Sequence, residues 1–250
     1  MSLTILIICL NFLLAQNLFD EGVNWYNKRA DGSNGIYASS IPIDNAIKVF
    51  QKDIDNNRNK NSIVYLLKSY FFKGAYVYKD IELKKEIFNK GKKLAENYLE
   101  IYPESADIRY WYLVNLGRWA EVYGKIKAAR EGVAGIMKEQ SEKIIELDPN
   151  YKNGGGYFML GAVHLKSPYI PIILSWPNKN KALEYLQLAL DTGDATLVQK
   201  IYLAQALYES EKKEQAKKIL YEVVHSDLNQ NEIVEQLNDI EEAKQLLKTF

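Results

Sequence analysis

Asn180-Lys181-Ala182-Leu183-Glu184-Tyr185-Leu186-Gln187-Leu188-Ala189-Leu190 places a small residue, then a bulky apolar residue four positions on, then a second small residue three further on. The order returns in Glu214-Gln215-Ala216-Lys217-Lys218-Ile219-Leu220-Tyr221-Glu222-Val223-Val224, where Ala216, Leu220 and Val223 hold the same places. Gly91 to Tyr102, running into Pro103, and Met137 to Leu147, running into Asp148-Pro149, are two further copies. Steps of four and three keep the three residues on one face of an α-helix. A unit built this way cannot bury its own apolar face. It stacks on its neighbours, and a run of such units makes a solenoid, an architecture used mainly for binding.

Outward from these copies, period 3.6 is widespread and period two is rare. Helices are expected at Leu18–Arg29, Ile43–Asn56, Ser62–Tyr78, Ile81–Tyr102, Ser105–Tyr123, Lys125–Leu147, Tyr157–Lys166, Lys179–Asp191, Ala195–Ser210, Lys213–Ser226 and Asn231–Thr249. Tyr102-Pro103 and Asp148-Pro149 stop two of them, because proline cannot continue a helix and the residue before it avoids the α region. Asp191-Thr192-Gly193-Asp194 does the same with Gly193 as C-cap and Asp194 as the next N-cap. Asn56-Asn57-Arg58-Asn59-Lys60-Asn61 is a polar break. These stops fall about 45 residues apart, the length of a long helix hairpin.

Leu203-Ala204 and Leu207, followed by Ala216, Leu220 and Val223, form the best-defined hairpin. Leu160-Gly161 with Ala182, Leu186 and Ala189 forms the one before it; Leu116-Gly117 repeats the first-helix pair, and Ala46 and Phe50 the second-helix pair. On these residues the chain resembles a tetratricopeptide repeat (TPR) protein. The standard repeat of that family is about 34 residues, and the middle repeats here are about a dozen longer. With Asp148-Pro149-Asn150-Tyr151 leading into Gly154-Gly155-Gly156, this long-helix form is similar to the T-component proteins associated with TRAP-type transporters. The resemblance implies an all-α, right-handed α-solenoid of five TPR-like hairpins over residues 16–250. Gly117, Gly161, Ala182, Ala204 and Ala216 are then expected at tight helix contacts, and Asn231–Thr249 as a C-terminal capping helix whose polar face closes the stack.

The first fifteen residues stand apart. Leu3 to Ala15 is nearly all apolar, too short for a bilayer span of roughly 20 residues, and ends in Leu14-Ala15-Gln16. It reads as a signal peptide cleaved after Ala15, without a Lys or Arg near Met1; the alternative is a buried first helix. A periplasmic or secreted protein is the expectation. Cys9, the single cysteine, lies inside this segment, so the mature chain would hold no thiol nucleophile and no Cys-based metal site. Ile8 before Cys9 is too bulky for a lipidation site.

Lys+Arg and Asp+Glu both total 32. A balanced chain lacks the basic surplus that neutralises phosphates, which argues against nucleic acid as partner. The two histidines, His164 and His225, lie in different hairpins, so no zinc is expected. Gly156 and Gly161 have phosphate-loop spacing, but Ala162 and Val163 stand where Lys and Ser/Thr belong. Asp53-Ile54-Asp55-Asn56-Asn57 opens like a calcium loop, and Arg58 then replaces the required glycine. No Ser/His/Asp or Cys/His arrangement appears. The expectation is a non-catalytic protein without cofactor or metal.

Two features exceed what stacking needs. In Tyr110-Trp111-Tyr112-Leu113-Val114-Asn115-Leu116-Gly117-Arg118-Trp119-Ala120-Glu121, packing Leu116 and Gly117 inside the hairpin sends Trp111, Arg118 and Glu121 toward the concave groove, which first helices line in the TPR family. Aromatic and Arg side chains are the usual anchors of binding; the alternative is that Trp111 and Trp119 are both core. The connector Ser167-Pro168-Tyr169-Ile170-Pro171-Ile172-Ile173-Leu174-Ser175-Trp176-Pro177 is apolar and Pro-rich. It either folds back as a core patch or presents Tyr169 and Trp176 as a binding lip, a subunit contact or a membrane-touching segment. Two functions are open: a scaffold that binds a protein partner or itself through the concave face, and a small-solute-binding or transporter-accessory protein. An open groove would favour the first and a closed pocket around Trp111 the second.

Overall fold

The structure, a computed structural model, describes residues 17–170, 172 and 174–250. The segment read as a signal peptide lies outside them. Every regular element among the described residues is helical: α1 (17–27), α2 (Ser40–Asn57), α3 (Lys60–Phe72), α4 (Ile81–Ile101), α5 (Ala106–Tyr123), α6 (Lys125–Arg130), α7 (Val133–Leu147), α8 (Gly155–Lys166), α9 (Lys179–Asp191), α10 (Leu197–Glu209), α11 (Lys213–Val224) and α12 (Ile233–Thr249). A π-helical turn, Lys73–Val77, extends α3, and a 3₁₀ turn, Gln230–Glu232, leads into α12.

Caps written in the sequence fix the helix starts. Ser39, Asn59, Asp80, Ser105 and Asn178 each accept a hydrogen bond from the first turn that follows. Thr196 and Gln199 make a reciprocal capping box on α10, so Thr196 and not Asp194 starts that helix. Lys125–Leu147 is not one helix: it breaks at Glu131-Gly132, where Gly132 takes φ +65° and lets the chain restart as α7.

Helices pack as α1/α2, α3/α4, α5/α7 with α6 between, α8/α9 and α10/α11, with α12 laid over α10 and α11. The small-and-bulky pattern is the seam. Ala46, Phe50, Ala182, Leu186, Ala189, Ala204, Ala216, Leu220 and Val223 are all fully buried. A Cβ on Gly161 would lie 2.7 Å from Leu186 Cγ, so α8 and α9 approach as closely as a glycine permits. Gly117, at the same place in its own hairpin, is different. A Cβ there would meet only Met137 Cε, at 3.8 Å, so the tight contact expected at Gly117 does not form. Only the tip of a flexible side chain of α7 reaches it, whereas Gly161 meets the body of α9.

Polar groups tie the turns. Asp53, fully buried, accepts from Asn57 Nδ2 at 2.7 Å, Asn59 Nδ2 at 2.9 Å and Ser62 Oγ at 2.5 Å. The residue that opens a calcium-like sequence instead staples α2 to α3.

The stack does not stay open. Arg29, just past α1, pairs through Nε with Glu235 Oε1 of α12 at 2.7 Å, and Asn238 Nδ2 donates to the Ile36 carbonyl at 2.9 Å. These contacts join the two ends of the array. No helix among the described residues is long and apolar enough to cross a membrane.

Candidate functional site

Closing the array turns its concave face into a cavity of about 590 Å³. The lining comes from α1, α3, α5, α8, α10 and α12 and their flanking turns, with Met137 from α7. Helical spacing explains which side chains reach it. On α5, Trp111, Val114, Arg118 and Glu121 recur every three or four residues along one face. Tyr65 and Lys68 do so on α3, Phe158 and Ala162 on α8, Val198 and Tyr202 on α10, and Glu235 and Asp239 on α12. Trp111, Arg118 and Glu121 therefore stand where the sequence reading puts them. Gly117 joins them as floor.

The walls are aromatic: Tyr26, Tyr65, Phe71, Tyr76, Tyr110, Trp111, Phe158 and Tyr202. Burial pushes the phenols of Tyr26 and Tyr76 far up and those of Tyr110 and Tyr202 to about 12, so the hydroxyls are neutral at physiological pH. Charges are set among the rings. Arg118 Nη1 pairs with Glu121 Oε2 at 2.8 Å; burial most strongly opposes its charge, but Glu121, Tyr76 and Tyr202 together outweigh burial and hold the guanidinium above its usual range. Its side chain is 41% accessible, and that surface lines the cavity. The Arg29 guanidinium lies 4.6 Å from the Tyr26 ring centre. Lys68 Nζ sits 4.0 Å from the centre of Tyr65, 5.1 Å from Tyr26 and 5.8 Å from Trp111. Burial, and then the like charges of Lys152 and Arg29, bring its ammonium down to about 8. On α12, burial and then Glu242 raise Asp239 to about 7 against the pull of Arg118.

The two tryptophans of α5 divide the alternatives between them. Trp119 is core, stacked on Tyr123 with centroids 4.4 Å apart. Trp111 is half-buried on the cavity wall, and its buried Nε1 has no hydrogen-bond partner among the described residues. Tyr169 and Trp176 do not line the cavity. Tyr169 is 63% exposed, and Trp176 stands edge-on to His164, 5.0 Å away, under Lys138 Nζ. The connector thus packs one end on the α7–α8–α9 side, with Pro177 buried, and turns outward between Ile170 and Leu174, whose backbones exchange two 2.8 Å hydrogen bonds.

Lys68, Arg29, Tyr26, Tyr202 and Asp239 escape the sequence reading. One signal is present: Glu232, Glu235, Asp239 and Glu242 repeat at three and four along α12, an acidic stripe that looks like a solvated face. Three of the four line the cavity. Among the described residues no cluster of His, Cys, Asp and Glu could hold a metal ion. The arrangement suits binding: aromatic walls, two internal ion pairs and a few singly placed charges.

No curated protein matches the chain. Among solved structures, a thermophilic TPR protein from Thermus thermophilus is similar with a TM-score of 0.59, 14% identity, and coverage of 94% of this chain and 97% of that one. At that identity the likeness speaks for the fold, a TPR-like solenoid along almost the whole chain. A family model described as RMD1-3: Regulator of microtubule dynamics protein 1-3 matches residues 39–166. The matched stretch holds α2 to α8, with Lys68, Trp111, Gly117 and Arg118 of the cavity wall. Since it takes in just over half of the sequence, the chain belongs to the regulator of microtubule dynamics protein 1-3 family.

Proposed function

We propose that this protein is a non-catalytic binding module whose ligand, or a short segment of whose protein partner, sits in the concave cavity. The observation that carries this is closure: α12 is pinned across the array by Arg29–Glu235, and what remains is a cavity of about 590 Å³, within the size range of ligand sites. The cavity is half-open, and its bounded, ring-lined shape around Trp111 favours a compact ligand over an extended peptide along a groove. A solute-binding or transporter-accessory role, as the likeness to T-component proteins implies, fits that shape. Trp111 and Arg118 are the anchors of this reading.

The test is a thermal-shift screen of solutes and short peptides against the full chain and Gly117→Phe. The added ring would occupy the cavity, where only Met137 Cε stands within reach. Ligands that shift the wild type and not the variant support the site. No shift with any ligand, or shifts that persist in the variant, would sink it. For a ligand so found, Trp111→Ala is expected to weaken binding by about 2 kcal/mol or more.

The family description supports a second reading, in which the partner belongs to the microtubule system. Co-sedimentation with polymerised tubulin decides it, and a protein left in the supernatant at every concentration argues against it. Export is a separate proposal, carried by the apolar Leu3–Ala15 segment. Mass spectrometry of the mature N-terminus is expected to find Met1–Ala15 removed; an intact Met1 in a cytosolic fraction would refute it.

A further inference from the structure

The cavity's charges are unevenly matched. Arg29 has Glu235 and Arg118 has Glu121. Lys68 has no carboxylate within ion-pair distance among the described residues; its ammonium meets only the ring faces of Tyr65, Tyr26 and Trp111. Glu232 of the acidic stripe and Asp107 attract it, but from beyond ion-pair distance and more weakly than its neighbouring cations repel it. Glu235 is taken by Arg29, and Asp239 sits by Arg118 and Glu242, where burial keeps its proton on to near neutral pH. The charges that weigh most on Lys68 are Lys152 and Arg29, both repulsive. A half-buried cation with no carboxylate in contact is costly, and aromatic faces offset only part of that cost.

Two further observations fall on the same wall. Trp111, whose ring faces Lys68, keeps a buried Nε1 donor without an acceptor. Six residues on, Gly117 stands in the interior of α5 with nothing packed against it but Met137 Cε. Glycine inside a helix is destabilising by about 1 kcal/mol relative to alanine. At Gly161 close packing explains the glycine; at Gly117 what it preserves is space. Val114, Met137, Phe158 and Met159 give the same cavity apolar surface.

Resting on the reading of the cavity as the binding site, we propose that its ligand is a small amphiphilic anion: a carboxylate or phosphate, accepting hydrogen bonds from Lys68 Nζ, on an aliphatic or aromatic body that occupies the space over Gly117. The anion supplies the counter-charge that the fold withholds from Lys68, and its body covers the apolar wall.

Calorimetric titration of the full chain with octanoate, octyl phosphate, octanol and octylamine tests this. At least one of the two anions is expected to bind ten-fold or more tighter than octanol, and octylamine no tighter than octanol. Lys68→Met should bring the anion down to the affinity of octanol and leave octanol unchanged; Lys68→Arg should keep the anion preference; Gly117→Phe should remove all binding. Equal binding of octanol or octylamine, or an anion preference that survives Lys68→Met, overturns the proposal. If octanol or octylamine binds as tightly as the anions and Gly117→Phe removes that binding, the cavity stands and only the anion falls. If none of the four binds, or Gly117→Phe changes nothing, the cavity reading falls as well. Should Lys68→Met fail to fold, the wild-type pH profile decides. The preference for octanoate over octanol is expected to fade between pH 7 and 10 as Lys68 loses its proton, and a constant preference overturns the idea. A hydrophobic peptide acid set against its C-terminal amide assigns the source: binding of the acid alone puts the carboxylate on a partner's chain end, and binding of octanoate alone puts it on a free solute. Both support the anion.

Discussion

Gly117 and Gly161 follow the same leucine at the same place in two hairpins, yet they do opposite things. Gly161 admits Leu186 to 2.7 Å of where its Cβ would be, whereas Gly117 faces a void. Adding a methyl group at Gly161 therefore forces two helices apart, while at Gly117 it reaches only ordinary contact with Met137. Gly117→Ala is expected to stabilise the protein by about 1 kcal/mol, the helix-propensity difference. That amounts to a rise of about 2–4 °C in melting temperature for a chain of this size. Calorimetric melts check it, and a fall in melting temperature would mean that α5 and α7 are closer than the structure shows. The pair also marks a limit of sequence reading. Leu160-Gly161 and Leu116-Gly117 are indistinguishable locally. What separates them is the distance to the next helix, which no short window of sequence encodes. Trp111, Arg118 and Glu121 are legible because their directions follow from helical spacing within α5. Lys68 is not, because its significance lies in which carboxylates fail to reach it.

Elements are legible wherever a local rule decides them. Lys179–Asp191 appears with the expected bounds, the polar break at Asn56–Asn61 separates α2 from α3 through the left-handed Arg58, and both Pro-preceded stops hold. Lys125–Leu147 is the exception. Its apolar periodicity runs through Glu131-Gly132, and only the positive φ of Gly132 breaks it. The second-helix seam carries a prediction of its own. Ala216 is fully buried between α10 and α11, so Ala216→Leu adds volume where there is none. It is expected to cost about 1–3 kcal/mol, measured as a shift of the denaturant midpoint at constant slope. An unchanged midpoint would show that the seam runs elsewhere on α11.

At the scale of the molecule, α12 brings acids into a partly dry interior. Asp239 titrates near 7 in the fold because of burial, then Glu242, with Glu235 and Glu232 adding to the effect and Arg118 opposing it. Its ordinary value is 3.8. Between these values the folded chain holds a proton that the unfolded chain has released, so stability falls as pH rises from about 4 to about 7 and levels off above. Glu235, also raised by burial, acts in the same direction. Asp239→Asn keeps a neutral side chain at every pH. It is expected to flatten this fall and to be more stable than wild type at pH 8, by an amount on the order of 1–3 kcal/mol. Melting temperatures at pH 5 and pH 8 read the difference. Parallel pH profiles for the two proteins would place Asp239 in contact with bulk water. None of this is visible in the sequence, where the stripe on α12 looks like a solvent face. Its middle members, Glu235 and Asp239, are drawn inward because the array bends far enough for its last helix to meet its first.

That meeting alters how the chain holds itself together. In a linear array each repeat touches only its neighbours, so terminal repeats open first and the middle outlasts them. Here Arg29 and Glu235, separated by 206 positions, are joined by an ion pair at 2.7 Å, and the terminal units each gain a second neighbour. A one-dimensional array becomes a loop without free ends. Fraying at either terminus must first break the clasp, and the repeats are thereby coupled toward a single cooperative opening.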